Sequence, residues 1–113
     1  MKGTEKQIAW AQDIKRQALE NIESNITLNA ARYEEFDKHP MYAANIEAYK
    51  IMAAVIEGIF AAHDDAEYII NHHSMLSPSG YTVHVDRWAE MIRSGKKTVE
   101  QIAKENGLKN YQA

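Results

Sequence analysis

The chain has no cysteine among its 113 residues, which excludes a disulfide framework and any zinc site built on thiolates. A thiol-free chain fits a reducing cytoplasm. Prolines number two and glycines five, too few for a disordered linker or for an all-β fold with many tight turns. No run approaches the roughly 18 apolar residues that a membrane span needs. The longest candidate, Met52 to Ala62, is too short and carries Glu57. The first residues, MKGTEKQIAWAQDIK, show no apolar core of a signal peptide, so none is expected. Catalytic signatures are also missing. There is no G-x-S-x-G, no H-E-x-x-H and no Glu-x-x-His pair of the di-iron type. Gly95-Lys96-Lys97-Thr98 lacks the leading glycine of a phosphate loop.

Apolar residues make up 45% of the chain and charged residues 26%, the balance of one globular domain spanning 1–113. The net charge of −3 is unevenly spread. Residues 1–38 hold six basic and seven acidic side chains, 39–73 one and five, and 74–113 six and four. The middle is acidic, and only the tail offers a basic surface.

The pattern is helical. Thr4 and Gln7 form a capping box that starts a helix near Glu5. Its apolar stripe passes through Ile8, Ala11, Ala18, Ile22, Ile26 and Phe36 and carries the helix to about Lys38, unless polar Ser24-Asn25 splits it. Pro40 opens a second helix, expected to run unbroken to His73 and to span roughly 50 Å at 1.5 Å per residue. Its apolar face includes Tyr42, Ile46, Tyr49, Met52, Ile56, Ile59 and Phe60, then turns polar at His63 and Glu67. Residues 74–85 read as a loop, with at most a marginal strand at Tyr81–Val85. Asp86 reads as the cap of a short helix closed by Gly95, and the Thr98/Gln101 capping box opens another, closed by Gly107. The expected architecture is all-α: a long antiparallel helical hairpin followed by two short C-terminal helices within 86–113.

Three sets of residues stand out as candidate sites. Trp10, Tyr49, Met52, Ile56 and Phe60 are candidates for a protein interface, because two helices alone leave one groove of their apolar stripes open. His63, Glu67 and His72 are candidates for a metal or ligand site, since His63 and Glu67 would sit one turn apart on one helix. Arg93, Lys96, Lys97, Lys104 and Lys109 are candidates for nucleic-acid contact. Thr98–Leu108 resembles the first helix and turn of a helix-turn-helix, but only five residues follow Leu108, too few for a recognition helix.

Gly3 to Ile14, GTEKQIAWAQDI, is similar to a G-[ST]-E-K-Q-x-A-W-A-x-x-I segment in uncharacterised proteins of Gram-positive bacteria, their phages and mobile elements. The resemblance covers 12 residues and implies an accessory role without naming an activity. The leading expectation is a non-enzymatic, self-associating protein-interaction module without a cofactor. A nucleic-acid-associated regulator is the first alternative. A metal- or ligand-binding helical bundle is the second.

Overall fold

A computed structural model describes residues 1–112 of the chain. These residues form five helices and no strand: α1 (Glu5–Glu35), α2 (Pro40–Ala62), α3 (Ala66–Asn71), α4 (Pro78–Ser94) and α5 (Val99–Glu105). The fold is all-α. None of the helices is long and apolar enough to cross a membrane.

α1 begins at the Thr4/Gln7 capping box and runs without a break. Its polar middle does not split it, because those side chains bond back onto the helix. The Asn25 amide donates to the Asn21 carbonyl at 2.9 Å, and the Asn29 amide donates to the Asn25 carbonyl at 2.7 Å. Asn29 is also buried, and its side-chain oxygen accepts from Asn45 of α2 at 3.0 Å. Asp37 and Lys38 turn the chain in left-handed conformations, at φ 54° and 57°, so α1 ends at Glu35 rather than Lys38. Pro40 then starts α2 behind the His39 cap.

α2 stops at Ala62, eleven residues before the expected end at His73. The cause is competition for backbone groups. The Asp65 carboxylate accepts from the Glu67 amide at 2.9 Å and caps a new helix. Lys2 takes the remaining partners: its N–H donates to the Asp64 carbonyl at 2.9 Å, and its carbonyl accepts from the Ala66 N–H at 2.8 Å. The short α3 that follows turns Ala66 and Ile69 fully inward, packed with α1.

Residues 74–94 also depart from the sequence expectation. Instead of a loop to Val85 and a short helix capped by Asp86, α4 starts at Pro78 and takes in both. Its buried positions, Tyr81, Val85, Trp88 and Ala89, form one helical stripe. Burial of that stripe overrides the strand preference of Thr82, Val83 and Val85. Gly95, left-handed at φ 76°, ends the helix, and the Thr98/Gln101 capping box starts α5.

The core has α2 at its centre, packed against α1 on one side and α4 on the other, with α5 at the edge. Ala11 and Ala18 of α1, with Ala44 and Ala48 of α2, are buried and let helices approach closely. Ile22, Ile51, Ile56, Tyr81 and Ile102 are the large side chains that fill the space between them.

Candidate functional site

The stripe of α2 is not fully covered. Met52, Val55, Ile56 and Ile59, spaced three and four apart, form the floor of an open cleft of about 490 Å³. The 74–77 turn supplies one wall through Ser74, Met75 and Leu76. The first three turns of α4 supply the other through Ser79, Gly80, Tyr81, His84 and Trp88, and Asn106 closes one end. The turn lies hard against α4 because Gly80 has no side chain: a Cβ there would collide with the Ser74 carbonyl oxygen.

Most polar groups along the cleft engage their own neighbours. The Asn106 amide donates to the Ile102 carbonyl at 2.8 Å. The Ser77 hydroxyl donates to the Ser74 carbonyl at 2.9 Å and lies 3.0 Å from the Ser79 hydroxyl. His84 lies tilted beside Trp88, with ring centres 6.1 Å apart. At the base of the cleft Tyr81 is 1% exposed, and its hydroxyl reaches across to α1, donating to the Asn21 side chain. Met75 lines the cleft from the 74–77 turn and is 62% exposed.

Burial, reinforced by nearby Tyr49, pushes the Tyr81 phenol up to about 12. The fold therefore favours the protonated phenol more than the unfolded chain does, where tyrosine titrates near 10. The stability that Tyr81 contributes is fully present below about pH 10 and is lost as pH rises from there towards about 12. Tyr81→Phe should remove this component from an alkaline unfolding profile followed by circular dichroism. An unchanged profile would show that the phenol is not held in this way.

The three candidate sets fare differently. Met52, Ile56 and Phe60 are buried within a single chain, so a partner could reach Met52 and Ile56 only through the cleft. Met52 and Ile56 do line the cleft floor. Tyr49 is half-buried on the core, its phenol raised by burial and by Asp86. Trp10 is 51% exposed, tilted against His73 at 5.9 Å.

His63 and Glu67 do not share a helix face, because α2 ends between them. Tyr68 enters instead, stacked on His63 at 3.7 Å and on His72 at 4.1 Å, so a phenol ring separates the two imidazoles. The His72 Nδ1–H donates to the Tyr68 carbonyl at 2.7 Å. Among the described residues no group of three histidine or acidic side chains is placed to hold a metal ion.

Of the basic set, Lys97 is paired with Glu105 at 2.8 Å, while Arg93, Lys96, Lys104 and Lys109 are exposed. After α5 the chain turns at Gly107 and folds Leu108 back onto Ala103, where its N–H finds the carbonyl at 2.9 Å. No further helix follows among the described residues, so a recognition helix is not found there.

The α4 wall was open to discovery from sequence: Tyr81, Val85, Trp88 and Ile92 repeat at four, three and four. The β-branched residues between them mask that period. No protein-family model, curated protein or solved structure matches the chain.

Proposed function

We propose that the chain is a non-enzymatic protein-interaction module that receives apolar side chains of a partner in the cleft between α2 and α4. One observation carries this reading: the cleft is uncharged and largely apolar, and its apolar surface continues outward onto exposed Met75. Cores of protein interfaces are depleted in charge and enriched in aromatic residues and methionine. Tyr81, Trp88, Met52 and Met75 give the cleft that composition. Its volume also lies within the range of small-molecule pockets. A small molecule seated inside would leave the apolar rim in water, whereas a partner chain covers both.

The test is a photo-crosslinking amino acid at Ser79, an exposed position on the cleft wall, in the cell that makes the protein. Irradiation should yield an adduct with a second polypeptide, and Val55→Arg, which places a charge on the cleft floor, should abolish it. Adducts confined to the same chain would overturn the reading.

A further inference from the structure

Resting on the reading of the cleft as a protein-docking site, we propose that its occupant is a second copy of this chain. The two copies meet about a twofold axis at the rim, and Met75 of each sits in the cleft of the other. The charge pattern supplies the first argument. A twofold contact sets one patch against its own image, so any formal charge near the axis meets its own sign. Charged residues are 26% of the chain, and a lining of 13 residues would carry about three of them on average. The lining carries none. A self-paired cleft requires that neutrality.

The second argument is geometric. The knob and the hole lie side by side on one surface: Met75 is 62% exposed at the rim of the cleft that it helps to line. One twofold axis then makes two identical knob-in-hole contacts. Methionine suits the role, since its unbranched thioether adapts to an irregular apolar hole.

The test uses the full chain in sedimentation equilibrium between about 10 µM and 1 mM, where interfaces of modest affinity are read. The wild type should show a monomer–dimer equilibrium. Met75→Glu and Ser79→Arg should each weaken it at least tenfold, the first by placing a carboxylate in the apolar hole and the second by placing a guanidinium at its mouth. Mixed in equal amounts, the two variants should recover association. One contact then seats a native Met75 beside a native Ser79, in a cleft whose wall carries the introduced carboxylate, and the other joins the introduced carboxylate to the introduced guanidinium. That recovery should weaken with salt. Both positions are exposed, so helical content should be unchanged, and Met75→Gln repeats the test without a charge. A wild type that is monomeric throughout overturns the proposal, as does dimerisation that neither variant alters, or a mixture that recovers nothing. If the chain is monomeric while Ser79 still crosslinks to a different polypeptide, self-docking fails and the docking site stands. If neither occurs, both fail.

Discussion

Gly80→Ala should destabilise the protein by about 3 kcal/mol or more, beyond the usual range for adding one methyl group to a packed site. The new Cβ would overlap the Ser74 carbonyl oxygen and come within 2.9 Å of the Met75 Cα and 3.0 Å of the Ser74 carbonyl carbon. These are backbone atoms, so no side-chain rotation relieves the clash. Either the first turn of α4 unwinds or the 74–77 turn lifts away. The second outcome moves Met75 and Leu76 and dismantles one wall of the cleft, so loss of stability and loss of the proposed association should appear together. Gly58→Ala provides the control. Gly58 lies within α2, is exposed, and has nothing within 4 Å of an added Cβ. Alanine there should stabilise by about 0.5–1 kcal/mol, the ordinary gain over glycine in a helix interior. Urea denaturation of the two variants should move the midpoint in opposite directions. Equal and small effects would mean that the turn does not rest on α4 as described.

Ile51→Ala should cost about 3–4 kcal/mol, in the upper part of the range for buried aliphatic truncations. Ile51 is 0% exposed at the middle of α2, the helix packed between α1 and α4. Truncation there leaves a cavity in a close-packed core that relaxes only in part. A domain of this size is stable by only about 5–15 kcal/mol, so the loss is a large fraction of the whole. Val55→Ala on the same helix faces the open cleft and is already partly solvated, and it should cost under about 1 kcal/mol. A denaturant titration showing equal losses for the two would place Ile51 outside the core.

Much of the fold was legible because the signals that set it are short-range. The Thr4/Gln7 and Thr98/Gln101 boxes, Pro40 and Gly95 each act within a turn of helix, and each begins or ends a helix in the structure. The cleft was much less legible. Met52 and Ile56 were singled out as the apolar stripe of α2, yet the same two residues serve both the core and the cleft floor. No periodicity distinguishes covered from uncovered apolar surface. Ser79 and His84 lie where a loop was expected, and they become a wall only because α4 begins at Pro78. His63 and Glu67 were paired by a spacing that holds only if the helix continues through Asp64-Asp65.

The sequence by itself determined that this chain is helical, where α1, α2 and α5 begin, and where α4 ends, because capping and the helical period are decided among neighbours. Tertiary structure alone decided the two features on which the site depends. The break after Ala62 is held by backbone bonds from Lys2, at the far end of the chain. The helical state of Tyr81–Val85 follows from burying Tyr81 against α1, which outweighs the weaker local preference for strand. Each is a competition between a local hydrogen-bonding or propensity effect of about 1 kcal/mol and a longer-range one of greater size. Local pattern shows only one side of that balance.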